Sequence, residues 1–529
     1  MNGADTAWVL VCAGLVLFMT PGLALFYGGM VPVRNVLTMM MQNIIPLGVI
    51  TLTWVLVGYT LAFSNKGNSV LGEFDAFALL ELDTPQFHTV AAGVTIPTLA
   101  FVAYQTMFAI ITPALLTGAT AGRLKFAGWT VFLVVFSVVI YPQVARWLWN
   151  PKGWLTQLGA QDWAGGLVVH ASAGAAAVAV LLVVGRRRGW PSIKTSPNNL
   201  PLMLVGAGIL WFGWFGFNAG DGLAADGIAA QALLNTHAAG GAAMLTWLIV
   251  ERITSGHSTL VGGVSGAVAG LATITPCAGF VSTGSALLIG LIAGCVCCFA
   301  VRLKHLLRYD DALDVIAVHF VGGLTGTFLL GFFADSKVNP VSADGLLTGG
   351  GGILLWHQIV AIVCVVVFSF VLSWLAAALI NRTIGLREPG PEQDSLDKVQ
   401  QGQAAYSLSG VIARPTTSGR GAGAPRDEEA DRPREARHII SASVNTDRID
   451  GLRDALLMAG ARSIELMETT VYTGRVHTEV FRSDVRKLDF EDRMRVYAAV
   501  DDEHEEAVAA VLRRFGAEPD SIHRLEISP

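Results

Sequence analysis

Two histidines in this chain recur in the same setting. One closes Asp162-Trp-Ala-Gly-Gly-Leu-Val-Val-His170 and the other Asp311-Ala-Leu-Asp-Val-Ile-Ala-Val-His319, each eight residues after an aspartate and inside an apolar run. Ionisable side chains in such runs are costly to bury and usually functional. A neutral imidazole has one donor and one acceptor nitrogen, so two in contact would make a polar thread able to pass a proton through an apolar passage. The plain alternative is a pair of buried, hydrogen-bonded histidines. Five aromatic residues, Phe108, Trp149, Trp163, Trp214 and Phe217, form a second candidate group. Such rings mostly pack or anchor helices at the membrane interface, yet their faces can also hold a cation. The GxSxG, Walker A and HExxH motifs and paired catalytic carboxylates are lacking, which points to a non-enzyme without a cofactor.

Membrane helices must position these residues. Of 529 residues, 53% are hydrophobic and 15% charged, and the mean hydropathy is +0.53; an ordinary globular chain has about 25% charged residues. The net charge of −5 gives no sign of nucleic acid binding. Charge is uneven: residues 1–381 hold 15 Lys+Arg and 14 Asp+Glu, whereas the last 148 hold 21 and 27. A greasy part and a water-soluble part therefore meet near Asn381. The six cysteines lie in or beside apolar stretches and read as small core residues.

A spanning helix needs about 20 mostly apolar residues. Eleven such stretches are expected, near 7–29, 38–63, 95–120, 126–148, 164–185, 200–219, 229–250, 258–275, 280–301, 313–334 and 352–381. Residues 1–6 carry no basic group, so no cleavable signal peptide is expected. Loops after the odd-numbered stretches hold 11 Lys+Arg against 4 in the other set, which places the basic loops and the polar tail in the cytoplasm and the N-terminus outside. The Asp–His pattern of stretch 5 returns in stretch 10, and Phe26-Tyr-Gly-Gly29 of stretch 1 is echoed by Trp214-Phe-Gly-Phe217-Asn-Ala-Gly220 of stretch 6. Five helices followed by five similar ones make an inverted repeat, with the substrate path between the halves.

These motifs, with Tyr104-Gln105-Thr-Met-Phe108-Ala-Ile-Ile-Thr112 in the same order, resemble the ammonium transporters of the Amt/Rh family over residues 1 to about 406. The resemblance implies eleven helices in two inverted halves and a homotrimer with one pore per subunit. It implies that Phe108 and Trp149 form an outer cation site, that Phe108 and Phe217 form a gate, and that His170 and His319 line the pore. It further implies that Asp162 supports the outer site without touching substrate; Trp214 belongs to the same aromatic group. Asp221 departs from the pattern, because the family commonly has serine there. A carboxylate beside these rings would attract a cation more strongly than a hydroxyl; the alternative is that Asp221 caps stretch 7 or points to solvent.

Beyond the membrane part, residues 382–406 resemble the family's cytoplasmic coupling segment, with Gln401 where histidine is usual. Residues 407–436, rich in Gly, Pro, Arg and Glu, read as a flexible linker. Residues 437–529 show strand-like, helical, strand-like, polar, strand-like, helical and strand-like patterns in turn, which is βαββαβ, an α+β ferredoxin-like unit. This segment resembles the PII nitrogen-signalling proteins through Gly460, Glu468, His477-Thr-Glu-Val-Phe-Arg482 and Asp489-Phe490. The resemblance implies that Arg482 lies at the tip of a mobile loop and enters the pore exit. Against it, Arg514-Phe-Gly-Ala-Glu-Pro519-Asp520 replaces a Gly- and Lys-rich phosphate loop, and Arg486 stands at the modified tyrosine; the tail's small-molecule effector is left unidentified. The whole reads as a transporter of ammonium or ammonia in the cell (plasma or inner) membrane, in contact with lipid and regulated by its tail. Rival readings are an ammonium receptor and a gas channel of the Rh type.

Overall fold

The computed structural model describes residues 2–74, 77–82, 87–91, 94–192, 196–390 and 392–406, and in the tail 438–445, 452–472, 478–481, 484–487, 490–518 and 521–526. The chain divides into a helical unit within residues 1–408 and an α/β unit made from the residues beyond.

Among the described residues, ten helices of the first unit are long and apolar enough to cross a membrane: α1 (Gly3–Met30), α2 (Val33–Phe63), α3 (Thr98–Leu116), α4 (Phe126–Leu158), α5 (Gly166–Val184), α6 (Leu200–Ala219), α7 (Gly227–Ser255), α9 (Thr283–Leu306), α10 (Ile316–Phe333) and α11 (Ile353–Thr383). A small hairpin, β1 (Phe87–Ala91) and β2 (Val94–Pro97), leads into α3. Polar side chains start several helices by accepting orphan N–H groups. Asn2 caps α1, Asn199 caps α6 and Ser282 caps α9.

The eighth apolar stretch is shorter than its composition implies. Helix α8 (Leu260–Ile274) has 15 residues, about 22 Å at 1.5 Å per residue, and a turn over residues 275–280 follows it. Irregular backbone at such depth must be satisfied by protein, and it is. Thr275 and Pro276 carbonyls accept the Ala164 and Trp163 N–H groups at 3.2 and 3.1 Å, and the Asn235 amide donates to the Ala278 and Val281 carbonyls. The expected stretch 258–275 ends at this point, and the 15-residue helix falls short of a full span by its length.

The segment after α11 is fastened to the helical unit by backbone groups. Lys125 N–H donates to Leu386 O at 2.9 Å, and Glu388 N–H to Arg123 O at 2.9 Å. The Asp397 carboxylate accepts the Leu37 and Thr38 N–H groups at 3.0 and 2.8 Å, capping the first turn of the helix that starts at Val36. Beside this seam lies a buried ion cluster. Asp310 pairs with Arg123 at 2.8 Å, both side chains fully enclosed, and with Arg187 at 2.7 Å. Burial alone would raise the Asp310 carboxyl; the hydrogen bond from Arg187 and the charges of Arg123 and Arg187 outweigh it and hold the group below its usual range.

In the tail unit the order is β3 (His438–Asn445), α12 (Leu452–Met458), β4 (Ser463–Tyr472), β5 (Thr478–Phe481), β6 (Asp484–Lys487), β7 (Phe490–Val500), α13 (Glu505–Arg514) and β8 (His523–Glu526). Four strands form an antiparallel sheet in the order β4-β7-β3-β8. Alternate residues Ile440, Ala442 and Val444 of β3 and Val496, Ala498 and Val500 of β7 face a core closed by Leu452 and Leu456 of α12 and Val508 and Leu512 of α13. Residues 407–436, His477, Arg482 and Asp489 lie outside the described residues.

Replacing Asp310 by Asn should destabilise the protein by about 3–5 kcal/mol at neutral pH, because Arg123 is left buried without its counter-charge. The lowered carboxyl contributes stability that is present above the ordinary Asp value of about 3.9 and is lost as pH falls through the folded-state value. Thermal unfolding of detergent-solubilised protein should show a gap between wild type and variant at pH 7 that narrows below about pH 4.

Candidate functional site

Helices α5 and α10 bring the two histidines together. His170 and His319 approach Nδ1 to Nδ1 at 3.3 Å, with ring planes 15° apart and centroids 5.2 Å apart. Both are almost fully buried. Each sits in a π-helical turn, Gly166–Ala171 and Ile316–Phe320; a single wide turn of this type re-aims a side chain that an α-helix would place elsewhere. A carboxylate begins each turn. Asp162 accepts the N–H groups of Gly165, Gly166, Leu167 and Val168 at 2.6–3.0 Å, and Asp311 accepts those of Val315 and Ile316 at 3.1 and 2.7 Å.

Close crossing needs two glycines, each four residues after a histidine. A Cβ on Gly323 would fall 2.8 Å from the His170 Cβ, and one on Gly174 would overlap the Phe320 side chain. With both absent the helices touch at the level of the imidazoles.

Since Nδ1 faces Nδ1, one ring must donate and the other accept. The two rings are therefore opposite tautomers, and their Nε2 atoms offer one donor and one acceptor. Nε2 of His170 is buried without a hydrogen-bond partner among the described residues. The histidines line an apolar cavity whose other walls include Leu23, Phe26, Ile111, Leu115, Trp214 and Phe217. A second cavity continues it past Phe26, Val268 and His319 to Ser265 and Leu313. The first cavity is thus apolar except for the imidazole pair and the Trp214 indole, and the second adds Tyr27 and Ser265.

At one end of the cavity the aromatic residues converge. Phe108 and Phe217 have centroids 4.4 Å apart, and Phe108 meets Trp149 edge to face at 5.7 Å. Trp214 stacks on His170 at 5.6 Å, with its indole N–H on Thr275 Oγ1 at 3.0 Å. Trp149 donates its indole N–H to Asp162 O at 3.0 Å. Trp163 donates to Asn218 O at 2.7 Å, outside the cavity lining. Phe108, Trp149, Asp162, His170, Trp214, Phe217 and His319 therefore form one connected group. Asp221 follows α6 directly and is partly buried. It does not cap α7; Asp226 does, accepting the Ile228 and Ala229 N–H groups at 2.9 Å each.

Sequence reasoning did not single out Thr275, Gly174 or Gly323. The glycine signal was available as His-x-x-x-Gly in both halves. Elsewhere, Asp501, Glu503 and His504 of the tail bring one ligand atom each within 4.8 Å, but Asp501 is already engaged by Arg462.

Long apolar helices around an enclosed, nearly apolar passage define a polytopic membrane protein with a path through its helical unit. The sequence profile of the Ammonium Transporter Family matches residues 7–406. Ammonium transporters of Mycobacterium bovis and Bacillus subtilis are each 41% identical to the chain, over 434 and 411 residues, covering 77% of it and 91% and 100% of the relatives. The crystal structure of Candida albicans Mep2 superposes with a TM-score of 0.70 at 30% identity, covering 77% of this chain and 94% of that one. The chain belongs to the ammonium transporter family.

Asp162→Asn keeps the shape but turns one acceptor oxygen into a donor, facing two backbone N–H groups. Two buried donors left unpaired should cost roughly 2–5 kcal/mol. A clearly lowered melting temperature of the solubilised variant is expected; unchanged melting would show that the π turn does not depend on this cap.

Proposed function

We propose that this protein carries ammonium or ammonia across a membrane through the passage lined by His170 and His319. The observation that carries the reading is the imidazole contact at 3.3 Å inside an otherwise apolar cavity, in a chain of this family. A dehydrated ammonium ion is expensive in such surroundings, whereas ammonia needs only hydrogen-bond partners. Phe108 and Trp149, joined by Asp221, attract the cation through ring faces and charge. Phe108 and Phe217 form the gate below, Trp214 positions His170 by stacking, and Asp162 holds the π turn and the Trp149 indole. A proton stripped at the aromatic end passes along the imidazoles, whose opposite tautomers supply a donor and an acceptor.

The same reading takes α8 as an eleventh membrane helix and treats α1–α5 and α6–α10 as inverted halves. Support comes from the paired Asp-capped π turns and the matching glycines. Three subunits, an external N-terminus and a cytoplasmic tail complete the arrangement. The tail is read as a ferredoxin-like, PII-related regulatory domain; its alternation of strands and helices and its β4-β7-β3-β8 sheet support that reading. Arg482 is the residue proposed to enter the pore exit, where a guanidinium can donate to several carbonyls.

Replacing His170 and His319 together by apolar residues should lower ammonium-driven current in proteoliposomes at least tenfold while the oligomer still assembles. Full current in the double variant would remove the imidazoles from the mechanism.

Removing residues 437–529, or replacing Arg482 by Ala, should raise transport several-fold under conditions that inhibit the intact protein. Identical flux in all three proteins across ammonium, nucleotide and 2-oxoglutarate concentrations would exclude plugging by this loop.

A further inference from the structure

Two carboxylates lie near the aromatic end of the cavity, and they differ in what their oxygens have left to do. Asp162 accepts four backbone N–H groups, two on each oxygen, so its lone pairs are occupied. Asp221 has no hydrogen-bond donor and no basic ion-pair partner among the described residues, although it is partly buried.

The turn that carries Asp221 is held firmly. Tyr104 Oη lies 3.1 and 2.9 Å from the Gly216 and Phe217 carbonyls, the Trp163 indole donates to Asn218 O, and Leu223 N–H donates to Gly220 O at 2.9 Å. On one side of Asp221, a Cβ on Gly220 would meet Tyr104 Oη at 2.8 Å; on the other, a Cβ on Gly222 would meet the Trp163 ring at 3.2 Å. Tyr104 packs edge to face on Phe108 at 4.9 Å. A carboxyl group without a counter-charge is therefore carried on a firmly held turn beside Tyr104, the residue that packs on Phe108 of the proposed cation site. The titratable groups around it are Asp162, Tyr104, Tyr141 and Cys12, with Asp5 and Asp226 at the same loop; none is basic. Burial, and then the charge of Asp162, push its carboxyl well above the usual range.

We infer that Asp221 is the base that accepts the proton of ammonium at the entrance to the passage. One N–H bond of the cation breaks, its electron pair stays on nitrogen, and an O–H bond forms on Asp221. A cation and an anion become ammonia and a neutral carboxylic acid. In water this transfer runs uphill, because ammonium is the weaker acid. In a poorly solvated site both charged partners bear a desolvation cost that the neutral pair escapes. The proton then passes from Asp221 to the imidazole relay proposed above, which regenerates the base. Asp162 cannot take this role while it holds the π turn.

The inference rests on the transport reading, so full-length wild type is tested first. Wild-type protein giving no ammonium flux above empty liposomes would sink that reading and, with it, this one. With flux established, maximal rate and half-saturating ammonium are measured against external pH for Asp221→Asn and Asp221→Glu. Asp221→Asn should lose at least tenfold in maximal rate at saturating ammonium, and its residual flux should lack the decline at acid pH that protonation of Asp221 imposes on wild type. Asp221→Glu should recover most of the rate. A maximal rate for Asp221→Asn within twofold of wild type, even with a raised half-saturating concentration, would show that the carboxylate only attracts the cation and would overturn the inference. Should Asp221→Asn fail to purify as a folded protein, Asp221→Gln is judged by the same criterion.

Discussion

Everything at the centre of this protein depends on how closely α5 and α10 cross. The imidazoles meet because no side chain stands between the helices where Gly174 and Gly323 face the partner helix. Packing without Cβ atoms is a common means of close approach in membranes, where lipid supplies no hydrophobic drive to bring helices together. Here it also places polar atoms. At this crossing both helices carry a π turn, and a capping carboxylate accepts N–H groups of each.

Two aspartates, Asp162 and Asp221, illustrate the division between structure and chemistry. Asp162 looks like a catalytic group by type and location, yet its oxygens are spent on backbone amides. Its value lies in fixing the turn that aims His170 and in receiving, at its own carbonyl, the Trp149 indole. Asp221, two residues past the end of a packed aromatic helix, accepts no hydrogen bond among the described residues and sits on a rigid mount. Saturation of hydrogen-bonding capacity separates the scaffold carboxylate from the one proposed to take the proton.

On the basic side of the helical unit, Arg123 and Asp310 join four chain segments. Arg123 reaches the Ala119 and Gly185 carbonyls as well as Asp310, and its own carbonyl accepts the Glu388 N–H. The segment after α11 is thereby tied to the loops between helices, and Asp397 ties it further to the start of α2. A buried charge cluster of this kind is weak evidence for stability in itself. Its position at a junction of segments makes register its natural role.

The amino-acid sequence determined a good deal by itself. Apolar runs of about 20 residues dictate membrane helices, so ten of the eleven expected stretches appear as full-length spans among the described residues, and the repeated Asp-to-His interval that marks the buried histidine pair was legible too. Strand and helix periodicities in the tail were legible for the same reason, since each follows from burying one face. The tertiary structure alone decided the rest. The end of α8 at Ile274 was legible as the end of the stretch 258–275, but the partners that satisfy the following turn, Trp163, Ala164 and Asn235, are distant in sequence and no local pattern names them. The histidines sit in π turns and meet across helices about 150 residues apart, and that meeting is set by packing rather than by a local pattern. Asp226 caps α7 and Asp221 is left free, although both are aspartates in one short loop. Which of them caps depends on where the helix axis begins, and packing against α6 and α8 sets that axis.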